Sequence, residues 1–407
     1  MTPASFQVHG AGQLDHRPAA RPGQRRAAAF ACQVLTGCAL AALVHAAPTG
    51  TPAPAQAASG GGPAGSTSSM PLDGPGLIRR LQDSVRLRNY TGTYVVTAAG
   101  SMSSARIVHT WDGRSQVERV ESLDGQMRRV FRHNDAVHVL WPASRSASIE
   151  PRGALRGFPN ALANDGAATL DMYEVQPGPE DRIAGHDAQT VTLRPRDNAR
   201  FTQRWWLERQ TGLLLRADVV NDRGDVLESA AFSELQLGTR VPAQTLLAEM
   251  NRLEGYRVSR SRIVATELER EGWSLKSPVA GFRPVQCVQR LGTDNSSRSG
   301  TASAAVLAGS RAAGGTMASS APPPGADPAG APSLLQAIYS DGLTHVSIFI
   351  EAFRPSAHVP EPVIAMGATH AVARRQGDWW ITVVGDVPPA TLRQFAQALE
   401  RRKPATQ

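Results

Sequence analysis

The sequence predicts a mainly β protein in which a large antiparallel sheet, curled around a helix, is followed by a smaller α+β domain. Three observations lead to this prediction. Strand-like runs recur about every ten residues between residues 90 and 237, separated by turn signals such as Asp112-Gly113. A single amphipathic helical pattern precedes these runs. A second, shorter set of strand patterns ends in another amphipathic helix.

Length and composition narrow the class of protein. At about 150 residues per domain, 407 residues correspond to two or three domains. The hydrophobic fraction of 41% can form a core, whereas the high content of Gly (37) and Pro (29) indicates segments outside it. Three cysteines cannot frame a disulfide scaffold or a four-cysteine zinc site. No two apolar runs of the sequence reach the length of a membrane-spanning helix, which excludes a polytopic membrane protein.

Residues 1–47 are predicted to be a secretory signal, which places the protein in a bacterial periplasm. Basic residues precede an apolar stretch over residues 27–47 that ends in small residues. Two alternatives remain: a permanent membrane anchor, and lipoprotein anchoring through Cys38, which follows Leu35-Thr36-Gly37 as in a lipobox. Removal of the signal lowers the net charge from +8 to +5 and leaves Cys287 as the one cysteine.

Two low-complexity segments are predicted to be disordered. Residues 48–73 are almost entirely Pro, Ala, Gly, Ser and Thr and form a tether. Residues 295–333 form an insertion, because no aromatic residue occurs between Phe282 and Tyr339. The tether contains a G-x-G-x-x-G pattern at residues 60–65, but no strand precedes it, so it does not indicate a dinucleotide site.

The large domain is predicted to span residues 74–240. Leu77, Ile78, Leu81 and Val85 recur at helical spacing and predict a helix over residues 75–88. About nine strands follow in meander order. Their predicted bounds are 90–98, 105–111, 116–123, 126–132, 136–141, 189–194, 201–208, 213–221 and 226–237. A helix over residues 241–253, within a linker at 241–255, closes this domain.

The smaller domain is predicted to span residues 256–402, with the insertion in one of its connections. Its last element is a helix that Pro388 and Pro389 open. Leu392, Phe395, Ala396 and Leu399 form one apolar stripe along it. Its strands are predicted over residues 282–290, 334–340, 343–353, 363–375 and 379–385.

The lack of catalytic and metal-binding motifs in the sequence indicates a binding protein and not an enzyme. The sequence contains no H-E-x-x-H, G-x-S-x-G or C-x-x-C motif, and its histidines lack metal-ligand spacing. We therefore predict no catalytic residue, no metal and no cofactor. Arginine clusters near residues 79–88, 128–132 and 257–262 indicate an anionic partner. Nucleic acid is excluded as a partner, because the protein is exported and the clusters lack interleaved aromatic residues.

In their order along the chain, several segments resemble the RseB/MucB family of periplasmic negative regulators of an envelope-stress sigma factor. The resemblance covers about residues 74–400, apart from the insertion. The matching segments are Asn89-Tyr90-Thr91-Gly92-Thr93-Tyr94-Val95, Gly113, Glu118-Arg119, Leu123-Asp124-Gly125, Ala184-Gly185, Trp206-Leu207-Glu208, Thr211-Gly212-Leu213-Leu214-Leu215-Arg216, Trp273, Gly281-Phe282, Tyr339-Ser340-Asp341-Gly342-Leu343, Val346-Ser347-Ile348-Phe349, Ile381-Thr382-Val383-Val384-Gly385 and Pro388-Pro389.

The resemblance implies both a fold and a function. The large domain would be an open half-barrel with a helical plug, like the lipoprotein carriers LolA and LolB. The protein would bind the periplasmic domain of a membrane anti-sigma factor and shield it from proteolysis. Lipopolysaccharide or other lipid acyl chains would release it. A homo-oligomer is an additional partner hypothesis.

Two sets of residues are candidates for these roles. Trp111, Trp141 and Trp206 are the candidates for a lipid cavity in the curled sheet. The candidates for contact with the protein partner are Tyr339, Ser340, Asp341, Gly342, Leu343, Arg374 and Arg375.

The alternatives to a regulator are a periplasmic lipid or lipoprotein carrier, which needs no second domain, and an envelope hydrolase, which needs an essential acid or histidine in the cavity.

Overall fold

A computed structural model of the chain describes residues 74–153, 157–162, 169–291, 334–355, 358 and 364–402. The predicted signal, tether and insertion lie outside these ranges. None of the helices within the ranges is long and apolar enough to cross a membrane.

The first sheet has twelve strands, of which the first eleven follow one another along the chain and the twelfth comes after a helix. All neighbouring strands are antiparallel except the last strand, which runs parallel to its neighbour. In chain order the strands are β1 (Tyr90–Ala98), β2 (Ser101–Trp111), β3 (Gln116–Ser122), β4 (Arg129–His133), β5 (Ala136–Trp141), β6 (Ser146–Pro151), β7 (Tyr173–Ile183), β8 (His186–Pro195), β9 (Thr202–Glu208), β10 (Leu214–Val220), β11 (Val226–Leu237) and β12 (Arg257–Arg260).

The sheet curves around helix α1 (Gly74–Leu87). Its spatial order is β12-β6-β5-β4-β3-β2-β1-β11-β10-β9-β8-β7, which leaves β12 and β7 as open edges. Val139 of β5 and Leu193 of β8 stand far apart in this order, yet both belong to one apolar core with Leu77 and Leu81 of α1. Only a strongly curved sheet brings such strands onto one helix. The predicted open half-barrel with a plugging helix is therefore confirmed.

Helix α3 (Ala243–Asn251), which follows the short helix α2 (Thr169–Met172) in the chain, packs against the outer face of the sheet over β2 to β6. Because side chains alternate along a strand, Ile107 of β2 packs toward α1 while Val108 packs against Leu246 of α3. Arg119 of β3 and Glu249 of α3 form an ion pair at 2.5 Å on this face. The half-barrel is thus a sheet between two helices.

The second sheet is smaller and is closed on one face by the C-terminal helix α4 (Pro389–Ala398). Phe395 of α4 is fully buried against this sheet, in a core with Trp273. A separate two-stranded ribbon pairs β14 (Trp273–Leu275) with β21 (Leu399–Arg401). The strands of this region are β13 (Arg262–Ala265), β14 (Trp273–Leu275), β15 (Arg283–Leu291), β16 (Leu334–Ser340), β17 (His345–Ala352), β18 (Ile364–Met366), β19 (Thr369–Gln376), β20 (Trp379–Gly385) and β21 (Leu399–Arg401).

The chain passes directly from one sheet to the other. β12 is an edge strand of the first sheet and β13 is an edge strand of the second, in the order β13-β15-β16-β17-β20-β19-β18. Ser261 alone separates them, and its N–H donates a hydrogen bond to the carbonyl oxygen of Ile149 in β6 (3.2 Å). The two sheets therefore share a corner at Ser261.

Several predictions about individual elements need correction. The strands predicted for the smaller domain omit β13, β14 and β21. The first sheet has twelve strands and not nine, because β6, β7 and β12 carry little alternating apolar pattern. The strand predicted over residues 363–375 is a hairpin of β18 and β19, broken at Gly367. Gly367 has φ +63°, and a Cβ there would lie 2.8 Å from the Cβ of Ala98, so both the turn and the contact with β1 require glycine.

Candidate functional site

The candidate segment at residues 339–343 comprises the last two residues of β16 and the start of the turn that leads to β17, and is named here the Asp341 turn. The Oδ1 of Asp341 accepts hydrogen bonds from the backbone N–H groups of Leu343 (2.9 Å) and Thr344 (2.8 Å). Gly342 has φ +96°, which other residues adopt only with strain. The Oγ of Ser340 donates to the carbonyl oxygen of Thr344 (2.8 Å). The sequence Ser-Asp-Gly thus builds the turn itself.

The Asp341 turn is anchored to the first sheet by Arg200, which lies between β8 and β9. The Nε of Arg200 donates to the Oδ2 of Asp341 at 2.5 Å, and both side chains are fully buried. The hydroxyl of Tyr173 donates to the same oxygen (3.1 Å). Arg200 also binds Asp197 and the carbonyl oxygen of Ala280. Three hydrogen bonds from Arg200 and one from Tyr173 therefore connect the turn to the first sheet and to Ala280.

Burial and the neighbouring charges shift the pKa values of Arg200 and Tyr173. Burial alone lowers the pKa of Arg200, but the charge and hydrogen bond of Asp341, together with Tyr173 and Asp197, outweigh it, and the pKa lies above its ordinary value. Burial, followed by the Asp341 charge, raises the pKa of Tyr173 well above its usual range. Arg200 therefore stays charged and Tyr173 stays a hydrogen-bond donor at physiological pH.

The apolar residues of the turn lie on its two sides. Leu343 packs into the core of the first sheet, whereas Tyr339 packs into the core of the second, with its ring 5.5 Å from that of Phe395. Burial raises the pKa of Tyr339 to about 12. In this structure the five residues of the turn bind their own chain and join the two sheets.

The arginine candidates lie on β19. Arg375 is exposed, and its guanidinium lies 4.0 Å from the centre of the Phe353 ring while its Nε donates to the carbonyl oxygen of Gly377 (2.8 Å). Arg374 is half-buried and donates to Gln376 (2.6 Å) and to the carbonyl oxygen of Leu399 (3.0 Å). Arg375 is therefore the candidate with most of its charge open to solvent.

The tryptophan candidates do not share one cavity. Trp141 and Trp206 are buried in the core around α1. The Nε1 of Trp206 donates to Asp181 (2.8 Å), and the guanidinium of Arg216 lies 4.5 Å from the centre of its ring. Trp111 is half-exposed and lines a separate cleft. Sequence patterning identifies large apolar residues on strands, but it does not show which of them fill the core.

One small cavity borders the Asp341 turn. A cavity of about 40 Å³ lies where Trp205, Glu228 and His345 meet Gly342 and Leu343 of the Asp341 turn. This volume suits water and not an acyl chain. The cleft beside Trp111 is much larger, at about 550 Å³, and its lining is mostly polar.

A buried ion pair lies on the inner face of the half-barrel. Arg132 of β4 binds Glu118 of β3. Burial opposes ionisation of Glu118, but Arg132, His109 and Arg152 together hold its pKa below its usual value. The Nδ1 of His109 bonds the carbonyl oxygen of Arg88 (2.8 Å), which ties β2 to the end of α1. This face of the sheet is therefore partly charged and not wholly apolar.

Sequence reasoning missed the two most informative features. Arg200 is an isolated arginine in a loop, and only the three-dimensional fold brings it to Asp341, 141 positions later. The cleft beside Trp111 is lined by residues from five separate segments, so no local motif marks it.

Within the described ranges no group of three or more histidine, cysteine, aspartate or glutamate side chains could hold a metal ion.

Comparisons with known proteins agree over both sheets. The profile of the MucB/RseB N-terminal domain matches residues 73–250, and that of the MucB/RseB C-terminal domain matches residues 316–400. The sigma factor AlgU regulatory protein MucB of Pseudomonas aeruginosa is 26% identical over 332 residues, which cover 79% of this chain and 89% of that protein. The sigma-E factor regulatory protein RseB of Salmonella typhimurium is 22% identical, covering 80% and 90% of the two chains.

Solved structures show the same fold. The complex of Pseudomonas aeruginosa MucA and MucB matches with a TM-score of 0.56 and 22% identity, over 80% of this chain and 98% of that one. MucB alone matches with a TM-score of 0.54 and 20% identity, over 81% and 98%. Since both family domains match in order and together span more than half of its residues, this chain belongs to the MucB/RseB family.

Proposed function

We propose that this protein is a periplasmic regulator that binds the periplasmic domain of a membrane anti-sigma factor and shields it from proteolysis. The observation that carries the proposal is the match of both family domains, in order, to a chain whose relatives are named as sigma factor regulatory proteins. One solved relative of the same fold is a MucB bound to MucA(peri). The sequence pattern of residues 1–47 supports export to the periplasm.

The proposed activity is binding and not catalysis. Support comes from the regulatory names of the relatives and from a sequence without a catalytic motif. The paired, buried state of Arg200 and Asp341 also fits a structural role for these charges. The protein would act by occupying its partner.

We place the partner surface on the second sheet, beside the Asp341 turn. Arg375 would contact the partner directly, because it is exposed. Arg374 and the residues of the turn would act mainly by fixing the position of this sheet relative to the half-barrel. An anti-sigma segment that contacts both sheets would then depend on the Arg200–Asp341 pair.

Release by a lipid would be a linkage effect. A lipid that binds the free regulator more tightly than the regulator–partner complex shifts the population toward release. Trp111, at the cleft, would be the first of the three tryptophans to meet such a lipid, whereas Trp141 and Trp206 would respond only if the core opened.

The experiment is a titration of the purified chain with the periplasmic domain of its cognate anti-sigma factor. We expect micromolar or tighter binding that weakens when lipid A is added. Arg375→Ala should weaken binding, whereas Arg223→Ala, in the exposed turn between β10 and β11, should not. Absence of binding, together with transfer of acyl chains between membranes, would favour the alternative of a lipid or lipoprotein carrier.

A further inference from the structure

His358 is a buried histidine in the connection between β17 and β18, with 3% of its surface exposed. Its ring stacks on the indole of Trp380 in β20, with the ring centres 5.0 Å apart and an angle of 4° between the planes. The ring of Phe353 lies 5.8 Å from that of His358 and 6.0 Å from that of Trp380. The histidine is therefore one member of a cluster of three aromatic rings.

The hydrogen bonds of His358 fix which of its nitrogens carries the proton. The backbone N–H of Arg354 donates to the Nδ1 of His358 (2.9 Å), so Nδ1 is an acceptor and carries no proton. The proton of the neutral ring is then on Nε2, which lies 3.5 Å from the Oε1 of Glu351. The backbone N–H of His358 donates to the carbonyl oxygen of Arg354 (2.9 Å). The turn between Arg354 and His358 is therefore closed by two hydrogen bonds, one of which requires a neutral imidazole.

Two charged side chains among the described residues act on this imidazole, those of Glu351 in β17 and Arg354 in the turn. They also bind each other, because the Nη2 of Arg354 donates to the Oε2 of Glu351 (3.2 Å). Burial lowers the pKa of His358, the charge of Glu351 opposes burial and that of Arg354 adds to it, and the pKa lies below its ordinary value. The folded protein therefore holds His358 neutral at pH 7 and protonates it only below about pH 6.5.

The aromatic cluster supports Arg375 of β19, the residue at which we place the protein partner. The guanidinium of Arg375 lies 4.0 Å from the centre of the Phe353 ring. The backbone N–H of Phe353 donates to the carbonyl oxygen of Asp378 in the β19–β20 turn (2.8 Å), and the Asp378 residue itself is exposed. The ring beneath Arg375 is thus held at its backbone by this turn and at its side chain by the cluster around His358.

We propose that His358 is a proton switch for partner binding, in which protonation opens the turn at Arg354, displaces Phe353 and removes the support of Arg375. This inference rests on the proposed function, since it takes Arg375 as a partner contact. A proton on Nδ1 would face the N–H of Arg354, and two donors cannot bond each other. The stack on Trp380 accepts both forms of the ring, so the hydrogen bond to Arg354 is the contact that distinguishes them. Acid would therefore release the partner.

The first experiment follows the switch without the partner. Proton–nitrogen NMR spectra of the purified chain are recorded from pH 7.5 to pH 5.0. We expect the backbone amide of Arg354 and the Nε–H of Arg375 to shift together, with one midpoint below about pH 6.5. In His358→Asn, whose Oδ1 can accept the same hydrogen bond without titrating, both signals should stay constant. His133→Asn, which removes a histidine at the end of β4, should behave as the wild type. An Arg354 amide that does not shift in the wild type overturns the proposal.

The second experiment measures affinity for the periplasmic domain of the cognate anti-sigma factor by calorimetric titration at pH 7.5 and pH 5.0. Wild type and His133→Asn should bind about threefold or more weakly at pH 5.0, because only the neutral form is competent to bind. His358→Asn should bind equally at both pH values, and it also controls for groups of the partner that titrate.

The outcomes separate the switch from the function on which it rests. An unchanged wild-type affinity at pH 5.0, or an equal loss in His358→Asn, overturns the switch alone. Absence of binding at pH 7.5 overturns the proposed function, and the coupling of His358 to the partner with it.

Discussion

The fully buried guanidinium of Arg200 forms an ion pair with Asp341 and donates further hydrogen bonds to Asp197 and to the carbonyl oxygen of Ala280. Removing one partner of such a pair strands the other charge in a low-dielectric environment. Arg200→Ala should therefore lower the free energy of unfolding by about 3–5 kcal/mol. Urea denaturation of the purified variant measures this value.

The matched control is Arg209→Ala. Arg209 forms an ion pair of 2.9 Å with Glu180, but both side chains are largely exposed, at 44% and 62%. Such pairs contribute at most about 1 kcal/mol. Equal losses in the two variants would show that the Arg200–Asp341 pair is solvated and does not act as a buried ion pair.

His138 makes stability depend on pH. Burial lowers the pKa of this histidine, and its Nδ1 bonds the carbonyl oxygen of Met250 (3.1 Å) at the end of α3. Because the folded-state pKa lies below the unfolded value of about 6.5, the unfolded chain takes up the proton first as pH falls. This contribution to stability is present above pH 6.5 and is lost as pH falls through the folded-state pKa.

We therefore expect the free energy of unfolding to decrease from pH 7.5 to pH 5.5, and to decrease less in His138→Gln. Urea titrations at the two pH values measure both slopes. The pKa values of His358 and His370 are also lowered by burial and should act in the same direction. An identical slope in the variant would mean that His138 makes no contribution.

Helix α1 is the element on which the half-barrel depends. Leu81 is 1% exposed and belongs to the core that strands from both halves of the sheet share. Leu81→Ala should cost about 2–5 kcal/mol, because it leaves a cavity in a packed core. Arg79→Ala, on the exposed side of the same helix, should change stability by less than about 0.5 kcal/mol. Thermal unfolding followed by circular dichroism compares them, and a small loss in Leu81→Ala would indicate that the helix is loosely docked.

Central strands are the elements that sequence predicts well. β1, β5, β11, β16 and β20 have the predicted bounds, because each combines a strong apolar pattern with turn residues at its ends. Edge strands lack this pattern. β7 carries Pro177 and Pro179 and is mostly exposed, and β12 has arginine at both ends. Prolines and charges of this kind protect a sheet edge from further pairing, and for that reason they conceal the strand in the sequence.

The candidate sites, too, are predictable from the sequence only in part. The sequence of the Asp341 turn predicts a tight reversal, because Asp341 and Gly342 both favour one. Its burial against Arg200 depends on a contact between residues 141 positions apart, which no local pattern encodes. Likewise, the strand pattern around Trp205 does not show that this residue is fully buried beside the small cavity.

At the scale of the whole molecule, Leu343 couples the two sheets. It is carried by the second sheet but is buried in the core of the first. We expect the wild-type protein to unfold in one calorimetric transition. Leu343→Ser should separate this transition into two, because a hydroxyl in that core weakens the contact between the sheets.

The control for this prediction is Val264→Ser, since Val264 is 48% exposed on β13. Its calorimetric profile should match that of the wild type. A single transition in Leu343→Ser at the wild-type temperature would show that the sheets are coupled by other contacts, such as the hydrogen bond from Thr391 to the carbonyl oxygen of Ala199 (3.0 Å).

The shared corner at Ser261 limits the motions that remain when these contacts break. One residue between β12 and β13 allows the facing strand ends to separate by no more than about 7 Å. The sheets therefore cannot separate as two domains joined by a long flexible linker can. They can only swing about a pivot, with the largest travel at the end remote from Ser261. A partner segment that binds both sheets would therefore be released when one sheet rotates relative to the other.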